Sequence, residues 1–273
     1  SIGEARRKAP PASMVEVRVH AVGLNFRDVL NVLGMYPGDP GPPGGDFGGA
    51  VCALGDGVRG LAVGEAVYGV ASGAFDGYAL SSPPLLRRIP EGMSFEAASS
   101  LPVLITTVHE CLVECAGLQA RQRVLVHAGA GGVGLTAIHY AQQIGCEVVA
   151  TAGSEAKLDH LRSAGVAMLA SSRDAAGFRE AMAAHGQVDA VLNSLSGDFI
   201  PYSLEALRAG GHFCEIGKYD LQNNTRIGLK ALERNVSYHA IDLATMFTHP
   251  RLSTVLGKLI QEGLDSGEIK PLP

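Results

Sequence analysis

Residues 124–134 read Val124-Leu125-Val126-His127-Ala128-Gly129-Ala130-Gly131-Gly132-Val133-Gly134. The stretch opens as an apolar, β-branched run of strand type. It passes into Gly129-x-Gly131-x-x-Gly134. A helix-period stretch follows, with Leu135, Ile138, His139 and Ala141 before Gly145, and then a second short strand, Glu147-Val148-Val149-Ala150-Thr151. Strand, glycine turn, helix and strand in this order are the context that gives a dinucleotide fingerprint physical meaning. Gly129 then permits the tight turn, Gly131 lets the backbone approach a pyrophosphate, and Gly134 lets the helix pack on the sheet. The free N–H groups and the positive dipole end of the helix face the phosphates. The bland alternative is a tight strand-to-helix turn with no ligand.

Outward from this stretch the two sides of the chain read differently. On the C-terminal side the alternation continues. Helices are expected over 157–164, 178–184 and 199–207, with strands over 168–170, 188–192 and 211–216. Further helices at 229–233 and 252–262 flank a strand near 236–240. Repetition of this kind gives a parallel, doubly wound sheet. On the N-terminal side, Val15-Glu16-Val17-Arg18-Val19 alternates as a half-buried strand, and Asn25 or Asp28 caps a short helix. Residues 37–49 are rich in Gly and Pro and read as loop. Short β runs at 51–54, 66–70 and 75–80, separated by glycines, suggest a small antiparallel barrel. Helices are expected over 95–101 and 106–116. Residues 1–13, with Pro10 and Pro11, read as a linker or frayed end.

Composition narrows the class. With 273 residues the chain suits two domains, each large enough to bury a core. The 47% hydrophobic and 18% charged content, with 35 glycines, is a folded α/β profile and not a disordered one. A net charge of −5, with no basic run interleaved with aromatics, argues against a nucleic-acid partner. No apolar stretch reaches the roughly 18 residues of a membrane span, and no secretory signal opens the chain. Cys52, Cys111, Cys115, Cys146 and Cys214 are scattered and odd in number, which reads as reduced thiols in a cytoplasmic protein. Cys111 and Cys115, four apart, fall on one helix face.

The residues also carry a family resemblance. The matching pieces are Gly23-Leu24-Asn25-Phe26-Arg27-Asp28-Val29-Leu30, Gly34-Met35-Tyr36-Pro37, the glycine stretch, Ser171-Ser172-Arg173, Val191-Leu192-Asn193-Ser194-Leu195-Ser196-Gly197, Gly217-Lys218 and Ile241-Asp242-Leu243. The sequence resembles the medium-chain dehydrogenase/reductase superfamily, and within it the enoyl reductase domains of polyketide synthases and animal-type fatty acid synthases. The resemblance implies a GroES-like β-barrel substrate domain over 1–103 and a Rossmann-type domain over 104–245. A helical segment over 246–273 then leads back to the substrate domain, and the active site lies in the cleft between the domains. Set against the family, the substrate domain is expected to be incomplete at both termini, as in a piece of a longer multifunctional chain. Val108-His109-Glu110 departs from the aromatic residues that relatives carry after the position of Thr107, so a role for that stretch transfers poorly.

Cofactor choice follows from charge. NAD sites place an acid at the end of the second strand to hold the ribose hydroxyls. Here that strand runs out through Ala152-Gly153-Ser154, with Lys157 beyond it and Arg173 after the next strand. Cations suit a 2′-phosphate, and both match the phosphate-binding positions of the fatty acid synthase relatives. The expected cofactor is NADPH. It would be held by Gly129, Ala130, Gly131, Gly132, Val133 and Gly134 at the turn, and by Ser154, Lys157 and Arg173 at the second and third strands. Asn193, Ser194 and Gly217 would line the nicotinamide pocket, and Thr107 belongs to the same cofactor-binding set.

Metal chemistry is not expected. Zinc members of the superfamily use Cys and His in the first domain, whereas Gly45-Asp46-Phe47 fills the place of their Gly-His-Glu. The resemblance implies hydride transfer from NADPH to C3 of a trans-2-enoyl thioester on an acyl carrier protein, within a set of neighbouring synthase domains. Protonation at C2 follows. It assigns Tyr36, Lys218 and Asp242 as catalytic: Tyr36 at the nicotinamide, Lys218 as proton donor, Asp242 as its partner with Asp220 as a less well matched alternative. In polyketide enoyl reductases a Tyr at this position goes with the 2S α-methyl product. An NADPH-dependent quinone oxidoreductase and a non-catalytic remnant are the rival readings. His20, His127, His139 and His239 sit among apolar residues and read as core or supporting groups.

Overall fold

The computed structural model describes residues 9–36, 38–243, 250–269 and 271. Pro37, most of the expected linker at 1–13, and residues 244–249 at the expected domain junction lie outside the described set, as do 270, 272 and 273. The chain forms two compact units. One runs to Thr106 and resumes at Leu243; the other is Thr107–Asp242.

The first unit carries β1 (Val15–Gly23), α1 (Phe26–Val32), β2 (Asp46–Leu54), β3 (Ala66–Val70), β4 (Tyr78–Ser81), β5 (Leu86–Arg88) and α2 (Phe95–Ser99). The strands form an antiparallel sheet of order β4-β1-β2-β3-β5. Val15, Val17, Phe47, Val51 and Val67 supply its core. The loop expected over 37–49 ends earlier than glycine content suggests, because Asp46–Gly49 belong to β2. Gly48 and Gly49 are strand residues that admit a close neighbour. A Cβ at Gly48 would lie 2.7 Å from the Phe95 carbonyl oxygen, and one at Gly49 would collide with Arg18 of β1. The helical run from Pro250 to Ser266, with a π-helical middle at Val255–Ile260, is longer than the expected 252–262. It buries Leu252, Leu256 and Ile260 against Tyr68, Val70, Ala98 and Leu101 of the same unit, each worth about 1.5–3 kcal/mol of apolar burial.

The second unit is a six-stranded parallel sheet. Its strands are β6 (Arg123–Val126), β7 (Glu147–Ala152), β8 (Met168–Ser171), β9 (Val188–Asn193), β10 (Leu207–Glu215) and β11 (Ser237–Ala240). The order β11-β10-β9-β6-β7-β8 sends the chain one way from β6 and then the other way from β9. Helices α4 (Gly132–Gln143), α5 (Glu155–Ser163), α6 (Ala175–His185) and α7 (Phe199–Ala206) are the crossovers. Before β6 the expected helix over 106–116 divides into α3 (Pro102–Val108) and a π-helix, His109–Cys115. None of the five cysteines forms a disulfide.

Of the four histidines read as core or supporting groups, His20 and His139 are exposed and His239 is partly buried; His127 alone is core. Its Nδ1 lies 3.0 Å from Thr151 Oγ1 and its Nε2 2.8 Å from Ser203 Oγ. Phe178 and Phe199 meet the ring edge-on. Burial without a counter-charge pushes its pKa down to about 3. An unfolded His binds a proton near pH 6.5, so the unfolded state binds more protons between about 3 and 6.5. Stability from this group is complete above pH 6.5 and is lost as pH falls. His127→Gln removes that loss. The stability advantage of the wild type over this variant should shrink by about 2 kcal/mol between pH 7 and pH 5, measured by urea unfolding at both pH values. A constant difference would show that His127 does not titrate between the two states.

Candidate active site

In open α/β sheets ligands bind beyond the carboxyl ends of the strands, where the winding direction reverses. Here that point lies between β6 and β9, and the glycine turn follows β6 directly. The turn is pinned at its start by the Gly129 N–H donating to the Thr151 carbonyl (2.8 Å), and closed by the Gly131 N–H donating to the Ala128 carbonyl (2.9 Å).

The three glycines of the Gly129-x-Gly131-x-x-Gly134 pattern answer to different demands. A Cβ at Gly129 would lie 3.0 Å from Ala150 Cβ and 3.1 Å from Leu161 Cδ1, and one at Gly134 within 2.7 Å of the Gly129 backbone. Both are buried. The left-handed residue that makes the turn tight is Ala128, with φ of 50°, and not Gly129, whose glycine is needed for packing. Gly131 is exposed, has an ordinary φ of −89°, and a Cβ there would meet only the Ala128 carbonyl, at 3.3 Å. Among the described residues nothing else reserves that space, so the glycine at 131 suits a ligand brought against the backbone. Gly132 is exposed beside it, with Ala130 and Val133 partly so. The helix begins at Gly132 with no side-chain cap on its first N–H groups, which leaves them for an anion.

Next door, β7 ends without an acid and Ser154 starts α5. Lys157 and Arg173 are exposed, and neither pairs with a carboxylate of the described residues. The Arg173 guanidinium reaches the Gly153 backbone, where a Cβ would lie 3.1 Å from its Nε. A phosphate group fits this corner: two exposed cations, a bare backbone and no carboxylate at the end of β7.

On the other side of the reversal, Lys218 Nζ donates to the Ile241 carbonyl (3.2 Å) and pairs with Asp242 Oδ1 (3.2 Å). The lysine is largely sheltered and the aspartate about half exposed. Asp220, the alternative partner, instead accepts from the Gly197 N–H at 3.3 Å. Asn193 is fully buried at the end of β9, while Ser194 beside it is exposed.

Asn193 does not face open space. Its Nδ2 donates to Glu215 Oε2 (2.6 Å), and Glu215 Oε1 accepts the Gly217 N–H (2.6 Å). Burial pushes the Glu215 carboxyl up to about 7, against the pull of those two donors. This glutamate is the residue that sequence reasoning missed; a lone acid ending an apolar strand was its only signal. Thr107 is buried at the start of this unit.

Tyr36 belongs to the first unit, where it is partly buried with the Arg27 guanidinium 5.8 Å from its ring centre. The loop that carries it is anchored through Asp28, which accepts the Asn25 N–H at 3.0 Å and the Gly44 N–H at 2.8 Å. Asp46 accepts from Asn25 Nδ2 and from the Val103 N–H, both at 3.1 Å, and burial lifts it to about 8. Its carboxyl is committed to these donors, and no three His, Cys, Asp or Glu side chains gather to hold a metal among the described residues. The described residues do not fit a zinc centre.

An antiparallel unit joined to a parallel nucleotide-type sheet, with a glycine turn at the reversal, is the architecture of medium-chain dehydrogenases and reductases. Family models agree: an alcohol dehydrogenase GroES-like domain matches residues 11–82 and a zinc-binding dehydrogenase domain matches 132–253. The chain is 35% identical to the CurK enoyl reductase, covering 99% of this chain and 85% of that one, with a TM-score of 0.87. For the JamJ enoyl reductase the figures are 29%, 99%, 85% and 0.88. It is 42% identical over 262 residues to the spectinabilin polyketide synthase system protein NorB of Streptomyces orinoci, covering 95% of this chain. The chain belongs to the medium-chain dehydrogenase/reductase superfamily, among the enoyl reductases of polyketide synthases. It spans 12% of the length of NorB and 4% of that of the polyketide synthase GfsB of Streptomyces halstedii.

Proposed function

We propose that this chain reduces the C2=C3 double bond of a trans-2-enoyl thioester to the saturated acyl thioester, as a domain of a polyketide synthase. The observation that carries the reading is the Lys218–Asp242 pair at 3.2 Å, at the carboxyl end of the sheet and on the far side of the reversal from the phosphate corner. When bound, NADPH supplies the hydride that adds to C3. The remaining requirement is a proton at C2 and stabilisation of the negative charge that develops on the thioester oxygen. Lys218 Nζ carries a transferable proton, and Asp242 holds the ammonium in place before transfer. In this reading Tyr36 governs the face on which C2 is protonated. The substrate is carried on the phosphopantetheine arm of an acyl carrier protein, with neighbouring synthase domains as partners. A cytoplasmic setting agrees with five cysteines that form no disulfide, and no helix of the described residues is long and apolar enough to cross a membrane.

The test is a pair of assays following NADPH loss, one with a crotonyl thioester and one with a quinone. Turnover of the thioester alone is expected. Turnover of the quinone alone would make the chain a quinone oxidoreductase, and no turnover of either would make it a remnant.

Cofactor preference rests on Lys157 and Arg173. Replacing both with Ala should weaken NADPH far more than NADH, with each lost charge-assisted contact costing about 1.5–3 kcal/mol. Titration of both cofactors, read by fluorescence, checks this. Equal losses would move the 2′-phosphate elsewhere.

A further inference from the structure

We propose that Glu215 is a positioning residue for Lys218, acting through the backbone that carries the lysine and the strand that receives it. The inference rests on the reading of Lys218 as the C2 proton donor. Glu215 is the last residue of β10 and is 2% exposed. One carboxylate oxygen accepts the Gly217 N–H at 2.6 Å, fixing the residue that precedes Lys218. The other accepts Asn193 Nδ2 at 2.6 Å. Asn193 in turn is locked to the backbone of Leu195, through Nδ2 to its carbonyl (2.7 Å) and Oδ1 from its N–H (3.2 Å).

The main chain of Glu215 completes the arrangement. Its carbonyl accepts the Ile241 N–H at 2.9 Å, and the Ile241 carbonyl is the acceptor of Lys218 Nζ. One residue therefore holds both ends of the lysine: the backbone from which it springs, and the strand end against which its ammonium rests. Both carboxylate oxygens face N–H donors, so the arrangement calls for an acceptor at each. An amide would turn its own NH2 group toward one of those donors. A buried, hydrogen-bonded carboxylate behind a working side chain is the usual means of fixing that side chain to within a fraction of an ångström. The charged and titratable groups that face it are Lys218 and Asp220 on the following segment and Tyr238 on β11.

The test reads the lysine directly. The chain is treated with limiting trinitrobenzenesulfonate, and modification of Lys218 is measured by peptide mass spectrometry against exposed Lys230 as internal reference. Glu215→Gln is expected to raise the Lys218-to-Lys230 ratio several-fold, because the ammonium loses its fixed place at Ile241 and Asp242. An unchanged ratio overturns the proposal. If this variant fails to fold, Glu215→Asp carries the same measurement. It keeps the charge but is one methylene too short to reach both donors.

Turnover of the crotonyl thioester gives the second readout. In Glu215→Gln, kcat should fall roughly tenfold or more while KM for thioester and NADPH stays within about twofold. The loss should vanish in a Lys218→Ala background. An additive loss there would mean that Glu215 acts elsewhere, and overturns the proposal. If Lys218→Ala alone leaves turnover untouched, the proton-donor reading fails, and the labelling ratio still decides whether Glu215 positions the lysine.

Discussion

Lys218→Ala is expected to slow reduction of an enoyl thioester by roughly 10²–10⁴-fold, the range for loss of a positioned general acid. The expectation follows from the ammonium's two contacts, to the Ile241 carbonyl and to Asp242, both at 3.2 Å. They hold the charge at the strand end without consuming it. Alanine leaves C2 to be protonated by water or by another group, so hydride addition must proceed with the developing charge unmet. NADPH affinity should change little, because the phosphate corner lies across the reversal on different strands. Tyr36 is expected to behave differently. With an α-methyl enoyl thioester the wild type should give the 2S product, and Tyr36→Val should move the ratio toward 2R with a modest loss of rate. Chiral analysis of product formed in deuterated solvent follows both variants at once. A Lys218→Ala enzyme running at near wild-type speed would remove the lysine from proton delivery. An unchanged product ratio in Tyr36→Val would leave the tyrosine a wall of the substrate site.

The second large effect is at Gly131. Gly131→Val should abolish NADPH binding while leaving the fold intact. The backbone at 131 is already in a conformation any residue adopts, and among the described residues the only atom near a new Cβ is the Ala128 carbonyl oxygen at 3.3 Å. The protein therefore gives by a few tenths of an ångström, but the valine methyls stand where a pyrophosphate would approach the uncapped N–H groups of α4. Cofactor titration together with a thermal melt separates the two consequences. Binding at wild-type affinity would put the phosphates elsewhere, and loss of folding would show that the glycine serves the protein after all.

Much of this site was legible in the sequence because its parts are local. The glycine turn, the strand before it and the acid-free end of the second strand are contiguous stretches whose spacing fixes their geometry. Lys218 and Asp242 are further apart in sequence, but each stands at a strand end, and parallel neighbours bring strand ends together. What escaped notice is of another kind. Glu215 ends β10 directly after Phe213 and Cys214, and its meaning comes from Asn193, on the adjacent strand and 22 residues away. No pattern within a window connects them. Residues 46–49 read as loop because glycine weakens strands in general, yet Gly48 and Gly49 are strand residues whose missing side chains admit Phe95 and Arg18. His20 and His139 read as interior from their neighbours in sequence, and burial is decided by neighbours in space. The glycine spacing assigns the tight turn to Gly129, whereas the left-handed residue is Ala128; glycine content marks where a turn is, not which residue bends.

The glycine turn also offers a way to tell a working domain from a relic. Gly129 and Gly134 are imposed by the architecture, for any side chain there strikes the second strand or the turn itself. A domain that had abandoned its coenzyme would still need both in order to fold. Gly131 is under no such obligation. In a disused domain nothing would oppose its drift to alanine, serine or valine, while the fingerprint's outer glycines stayed in place. The middle glycine therefore keeps an account of use that the other two cannot, and in this chain that account is still open.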